Sequence, residues 1–394
     1  MALGLSELNC QKFIYLDSSA TTYVKKDVWD EMKPYFTEEF GNASSMYALG
    51  KRSRIAIENA RERVAHAINC KKEEIFFTSG GTESDNLAIK GIAFANRSKG
   101  NHIITSLIEH PAIINSCKYL EKQGFDITYL PVDKYGMISI KDLHEAITDK
   151  TILISIMFAN NEIGTIQPIE EIGKISREKG IYFHTDAVQA IGNIPIDVKK
   201  YNIDMLSLSA HKFYGPKGIG AIYINENVNI DSFIHGGNQE NGIRSGTENV
   251  AGIVGLGKAI ELTTNNIIEN SKKVEKIRNI FVEKVLNRIT DIELNGHPTK
   301  RLPGNVSLSF EFIQASQLSL MLDIKGIATS SGSACSCKSN KPSHVLKAIG
   351  LSDEKAKTVL RFTFGTEISE KDIDYVLETL EVEVEKIRKN FNKN

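Results

Sequence analysis

Between about Glu73 and Asn225 the chain alternates short apolar, β-rich runs with longer polar or amphipathic intervals. The runs are EIFFTS, NHIITS, ITYLPV, ILISIMF, IYFHTD, MLSLSA and AIYIN. Apolar runs of strand length separated by helix-length intervals predict βαβ units, hence a mostly parallel sheet covered on both faces. The intervals predict helices over Glu83 to Asn96, Pro111 to Gln123, Ser139 to Ile147 and Ile169 to Lys179. After a Gly-rich stretch from His235 to Gly257, the residues Val274, Ile277, Phe281 and Val285 fall on one helical face. This helix leads into a second region with strand-like ELNGH, NVSLSFE, GIATSSG and VLRFTFG and a closing helix over Ser369 to Lys389. The expected organisation is an α/β protein with an N-terminal segment, residues 1–22, packing with the small domain. The large domain then covers residues 23–262 and a smaller α+β C-terminal domain covers residues 263–394.

Composition narrows the functional classes. Of 394 residues, 48 are Lys or Arg and 49 are Asp or Glu, a formal net charge of −1. That balance lacks the basic field that phosphate neutralisation requires, so direct nucleic-acid binding is not expected. The longest apolar stretches, such as Ile152 to Ala159, are far shorter than the ~20 residues that span a bilayer, and the N-terminus has no secretory or transit pattern. A cytoplasmic protein without membrane association is expected. The five cysteines, Cys10, Cys70, Cys117, Cys335 and Cys337, form a sparse, odd set that argues for reduced thiols rather than a disulfide framework.

Three segments carry candidate chemistry. FHTDAVQ places His184, Asp186 and Gln189 at the C-terminal end of a strand, where open α/β sheets bind ligands. SLSAHKFYGPKG ends a strand in Ser-Ala-His-Lys. An Asp and a Lys on neighbouring strand ends are what a pyridoxal phosphate site requires: the carboxylate keeps the pyridinium nitrogen protonated and the amine forms the Schiff base. In TSGGTESDNLAI a strand runs through Gly80-Gly81-Thr82 into a helix, whose N-terminal amides and dipole favour a phosphate. The segment lacks both the Walker sequence and the GxGxxG spacing.

Taken together, the motifs resemble the NifS/IscS-like cysteine desulfurases of the class V aminotransferase type, within the aspartate aminotransferase-like, fold type I pyridoxal phosphate enzymes. The resemblance runs through YLDSSATT, GNASS, TSGGTESDN, EHPA, ANNEIGTIQPI, HTDAVQ, SAHKFYGPKG, RSGTEN, SGSACS, PSHVL and LRFTFG. It implies a pyridoxal 5'-phosphate cofactor bonded to Lys212, paired through Asp186, and stacked under His110, which also acts catalytically. Asn160 and Gln189 would lie near the ring hydroxyl; Gly81, Thr82, Ser209 and His211 would hold the phosphate. Thr247 would reach the phosphate of the neighbouring subunit, so a homodimer is implied. Arg361 would clamp the substrate carboxylate, a task suited to a bidentate guanidinium, with Asn42 and Asn160 nearby. Cys335, set among Gly and Ser on a loop, would attack the sulfur of L-cysteine, leaving alanine and a persulfide. The sulfur would pass to an acceptor such as an iron-sulfur scaffold or a tRNA-thiolation enzyme.

The chain departs from the family pattern at Ser18, Ala43, Tyr47, Asn238, Asn241 and Cys337. The first five departures bear on carboxylate binding and subunit contacts rather than on the reaction class. For Cys337 the readings are a serine-like neighbour, a thiol that resolves the persulfide, a disulfide partner of Cys335, or a metal ligand with His344. Two cysteines and one histidine fall short of a structural zinc set, so no metal is expected. The alternative activity is selenocysteine lyase or cysteine sulfinate desulfinase, which shares the cofactor residues but does not depend on Cys335; a non-enzymatic scaffold would need no cofactor.

Overall fold

The structure, a computed structural model, describes residues 13–331 and 342–391. These gather into two compact units. One comprises Thr21–Asn160 and Thr165–Ile268; the other holds residues 13–20, Asn161–Gly164 and the described residues from Glu269 onward. The first strand, β1 (Ile14–Tyr15), belongs to the second unit.

The first unit is built on seven strands: β2 (Ile75–Thr78), β3 (His102–Ser106), β4 (Asp126–Leu130), β5 (Thr151–Ser155), β6 (Tyr182–Asp186), β7 (Met205–Ser209) and β8 (Gly220–Ile224). Their order is β2-β8-β7-β6-β5-β3-β4, and only β8 runs antiparallel to its neighbours. All five residues of β3, β5 and β7 are buried, which is why these strands, His102 of β3 apart, read as apolar or small-residue runs rather than as apolar–charged alternations. Successive side chains point to opposite faces. Ile103 and Leu153 accordingly join an apolar core with Leu87, Ile92, Ile113 and Leu120 of the helices Gly81–Ala95 and Pro111–Glu121. Ile104 and Ile154 join a second core with residues of the helices Ala48–Ile68, Ile169–Lys179 and Val250–Thr264.

The Gly-rich stretch is not a loop throughout, because the helix Val250–Thr264 begins inside it. A Cβ at Gly257 would sit 2.6 Å from the Ala60 Cβ, and one at Gly255 would collide with the Met32 thioether. These glycines serve close helix packing rather than turning the chain.

In the second unit, β12 (Val359–Thr363), β10 (Asn305–Phe310) and β9 (Ile292–Asn295) form an antiparallel sheet in that order. The strand expected over GIATSSG shortens to β11 (Ile327–Ala328), paired in parallel with β1. Val274, Ile277, Phe281 and Val285 are all buried, and the Phe281 ring lies 5.1 Å from Phe362. The closing helix runs Glu370–Phe391. The short loop Asn161–Gly164 is fastened here. Leu302 N–H donates to the Gly164 carbonyl at 2.9 Å, Arg301 to that of Ile163 at 3.2 Å, and the Ser343 hydroxyl to the Glu162 carboxylate at 2.6 Å. Ser343 also caps the helix His344–Ala348, as its position after Pro342 suggests.

Candidate active site

Lys212 sits in the turn Ala210–Lys212 that joins β7 to the antiparallel β8. Ala210 N–H donates to the Ile219 carbonyl at 3.1 Å, and Gly215 N–H donates to that of Ala210 at 2.9 Å. The turn is also clamped from the N-terminal side. Thr22 gives its backbone N–H and its hydroxyl to the His211 carbonyl at 2.8 and 2.9 Å, while its hydroxyl oxygen accepts from Tyr214 N–H at 2.7 Å. Thr21 pairs with His211 Nδ1 at 3.1 Å. The two threonines of the YLDSSATT motif therefore fix the lysine turn, a positioning role that their sequence alone does not announce. Burial, with Lys212 and Lys217 nearby, brings the His211 imidazole down to about 4, so its ring is neutral at physiological pH.

Asp186 closes β6 and is buried; Val188 N–H donates to its carboxylate at 2.9 Å. Burial raises its pKa, while His110, the Val188 amide and Lys212 pull in the opposite direction. His110 is the N-cap of the helix Pro111–Glu121, its Nδ1 accepting from Ala112 N–H at 3.2 Å. With Nδ1 serving as an acceptor, Nε2 is the ring nitrogen left to carry a proton. One atom each from Asp85, His110 and Asp186 lie within 4.8 Å of one another.

Gly80 and Gly81 open the helix Gly81–Ala95 beside Ser209. Gly80 has φ +150°, a region that side-chain-bearing residues rarely enter. A Cβ on Gly81 would meet Val188 Cγ2 at 2.7 Å, and one on Gly220 would meet the Gly80 Cα at 2.7 Å. Three glycines therefore let β2, β8 and the helix N-terminus converge next to Ser209 and the segment after Asp186. Thr82 lies in the first turn of this helix.

The other expected residues have different surroundings. Asn160 is fully buried, its amide donating to the Ile108 carbonyl at 3.0 Å, and Gln189 is buried in the segment after Asp186. Asn42 is exposed, with its side-chain oxygen accepting from Ser44 N–H at 2.9 Å in an Asx turn. Thr247 is exposed, three residues past Arg244, whose Nε donates to Glu83 at 2.8 Å. Arg361, in the second unit, is 2% exposed; it donates to Asp17 at 2.7 Å and to the Asn161 carbonyl at 3.0 Å, and its Nε has no partner. Cys335 and Cys337 lie outside the described residues. Cys70 and Cys117 are described, and burial pushes each thiol up to about 12, leaving neither as a thiolate near neutrality.

Two buried acids escape the sequence reading. Glu109 accepts from the Ser106 hydroxyl at 2.6 Å and from Met157 N–H at 3.0 and 3.1 Å, and burial pushes its carboxyl up to about 8. Asp85 is 1% exposed. Its signal was present in the sequence: at helical spacing Asp85 shares a stripe with Ala88, Ile89 and Ile92, a place where an acid needs a reason.

Residues 14–376 match the model of the family described as aminotransferase class-V. Among curated relatives, a protein named cysteine desulfurase IscS from Clostridium botulinum (strain Hall) is 57% identical over 94% of this chain and 94% of its own length. One of the same name from Methanosarcina thermophila is 58% identical over 96% and 93%. A solved structure titled NifS-like protein superposes with a TM-score of 0.89 at 38% identity, covering 95% of this chain and all of its own. Another, titled SspA in complex with cysteine, gives a TM-score of 0.79 at 40% identity over 90% and 99%.

Proposed function

The chain belongs to the aminotransferase class-V family, and from that premise we propose that it is a pyridoxal-phosphate-dependent cysteine desulfurase. It converts L-cysteine to L-alanine and takes the sulfur onto Cys335 as a persulfide. The observation that carries this reading is the convergence of the buried Asp186 with Lys212 and His110 beside a glycine turn at a helix N-terminus.

These residues suit the cofactor. A dianionic phosphate matches the free amides at the start of a fifteen-residue helix, at Gly81 and Thr82, with Ser209 and His211 alongside. A protonated ring nitrogen matches Asp186, the group on which Lys212 and His110 already act. When bound, pyridoxal phosphate supplies the electron sink that makes the Cα proton of an amino acid removable. The remaining work falls to the protein. Lys212 holds the cofactor and moves the proton at Cα; Asp186 keeps its charge against the ring nitrogen; His110 covers the ring face; Asn160 and Gln189 bind its hydroxyl side. Arg361, with Asn42 and Asn160, is assigned to the substrate carboxylate, and Thr247 to the phosphate bound by a second copy, so the working form is a homodimer. Cys335 serves as nucleophile, and the inert state of Cys70 and Cys117 leaves neither of those two as a competitor. The persulfide sulfur goes to an acceptor protein for iron-sulfur cluster assembly or tRNA thiolation, in the cytoplasm. Among the described residues, no helix is long and apolar enough to cross a membrane.

The test is an absorption spectrum of the protein with added pyridoxal phosphate, followed by assay of alanine and sulfide from L-cysteine. The native chain is expected to show a visible cofactor band and to form both products. Lys212→Ala should lose the lysine-linked band, and Cys335→Ala should keep it while losing turnover. Activity on selenocysteine or cysteine sulfinate that survives Cys335→Ala, without cysteine turnover by the native chain, would replace the desulfurase reading with the lyase one. No cofactor band in the native chain would end both.

A further inference from the structure

The floor beneath Asp186 holds more ionisable chemistry than the reaction uses. On β6 the side chains of His184 and Asp186 share a face, two residues apart. His184 is fully buried, with Nδ1 at 2.9 Å from the Ser155 hydroxyl of β5 and Nε2 at 3.0 Å from the Ser207 hydroxyl of β7. Burial brings its pKa down to about 3, so the ring is neutral and passes one hydrogen bond through. Asp85 stands above it, with Oδ1 3.8 Å from His184 Nε2 and without a hydrogen-bond partner.

An unpartnered oxygen on a buried acid is costly. Asp85 faces Asp186, Glu109, His184 and His110, and Asp186 in turn faces Lys212. Its environment is one-sided: burial, Asp186 and Glu109 all push its pKa up, and only a hydrogen bond from Ser207 opposes them. Asp186 has three groups favouring its charge: His110, the Val188 amide and Lys212. Two carboxyls this close in a dry site do not both ionise, and the proton resides on the one with less support. That one is Asp85. A protonated carboxyl is a donor, and the terminal torsion of an aspartate is soft. An oxygen of each carboxyl lies within 4.8 Å of the other, a gap that rotation of the Asp85 side chain can close. The hydroxyls and ring then align in one direction: Ser155 O–H to His184 Nδ1, His184 Nε2–H to Ser207, Ser207 O–H to Asp85, and Asp85 O–H to Asp186.

We propose, on the basis of the cofactor reading above, that Asp85 is a positioning residue: a neutral carboxylic acid that donates its O–H to the Asp186 carboxylate and keeps that carboxylate ionised against the cofactor's ring nitrogen. Without this donor Asp186 becomes more basic and draws the ring proton to itself.

Two measurements test the proposal, one of them independent of the cofactor. Infrared spectra of the cofactor-free protein near pH 7 should show a protonated-carboxyl C=O band that disappears in Asp85→Asn. Absence of that difference overturns the proposal. In protein loaded with ¹⁵N-labelled pyridoxal phosphate, the ring-nitrogen shift of Asp85→Asn, which retains a donor, should stay close to the native value, whereas Asp85→Ala should move toward unprotonated pyridine. An unchanged shift in a loaded Asp85→Ala protein also overturns it. If Asp85→Ala fails to fold or load, a ring-nitrogen shift in Asp85→Asn that stays native supports the proposal and one that moves to unprotonated pyridine overturns it. A native protein that takes up no pyridoxal phosphate refutes the cofactor reading and this role with it, even where the infrared band shows Asp85 to be protonated.

Discussion

Replacing Glu240 with alanine should destabilise the larger unit more than any loop substitution of similar size. Glu240 lies in a segment with left-handed backbone, φ +47°, followed by Asn241 at +54°. Its carboxylate accepts both Arg61 Nη groups at 2.7 and 2.8 Å, and Phe77 N–H at 2.7 Å. Phe77 belongs to β2, the edge strand, and this N–H is on the side away from β8, so Glu240 closes a sheet edge that would otherwise be unpaired. The Arg61 and Glu240 side chains are 11% and 4% exposed. Removing one partner of a buried pair costs about 3–5 kcal/mol. Arg61 keeps the Ile75 carbonyl at 2.5 Å and the more exposed Glu58 at 3.1 Å, which places the expectation for Glu240→Ala at the lower end, about 3 kcal/mol. Glu240→Gln, which keeps one acceptor, should cost less than half as much. Urea unfolding followed by far-UV circular dichroism measures both. Because the pair is buried, the loss should persist in high salt. A cost below about 1 kcal/mol for Glu240→Ala would show that the pair behaves as a surface ion pair and would refute the reasoning.

Glu109 should make stability fall as pH rises. Its folded-state value of about 8 lies above the ordinary 4.5, so its contribution is fully present below pH 4.5 and is lost as pH rises toward 8, at up to about 1.4 kcal/mol per pH unit. Glu109→Gln should remove that slope, and parallel pH profiles of urea midpoints for the two proteins would contradict it. Gly257→Ala, which ordinary helix propensity would reward by ~1 kcal/mol, should instead destabilise by about 1–3 kcal/mol, because the new methyl meets Ala60 at 2.6 Å. A higher urea midpoint for this variant would sink that argument.

The parallel sheet was legible because the buried strands are short runs rich in apolar and small residues, and Asp186 and Lys212 were legible because each stands at or just past the end of such a run. Other parts were hidden for identifiable reasons. Gly255 and Gly257 look like turn residues until Met32 and Ala60 are seen packing against their backbone. The loop Asn161–Gly164 reads as continuous with the strand-end segment before it, and its bonds to residues such as Arg301, Leu302, Ser343 and Arg361 tie it to the other unit. Arg361 showed its charge but not its Asp17 partner, some 340 residues distant in sequence. Glu240 acts through long-range contacts to Arg61 and Phe77 that no local pattern encodes, whereas Asp85 showed only as an acid in an apolar stripe, without its partners.

The placement of Lys212 between two antiparallel neighbours has a consequence for the order of assembly. The connection closed by Ala210 and Ile219 spans few residues, so its loop-closure cost is small and it can form locally. Asp186 becomes its neighbour only when β6 and β7 pair in parallel across an intervening crossover, which is slower because that contact is non-local. During refolding the β7–β8 hairpin is therefore expected to form before its carboxylate partner arrives, and the clamp from Thr21 and Thr22 is, like that partner, a non-local contact. Acquisition of cofactor colour would then follow hairpin formation and time the closing of the parallel sheet.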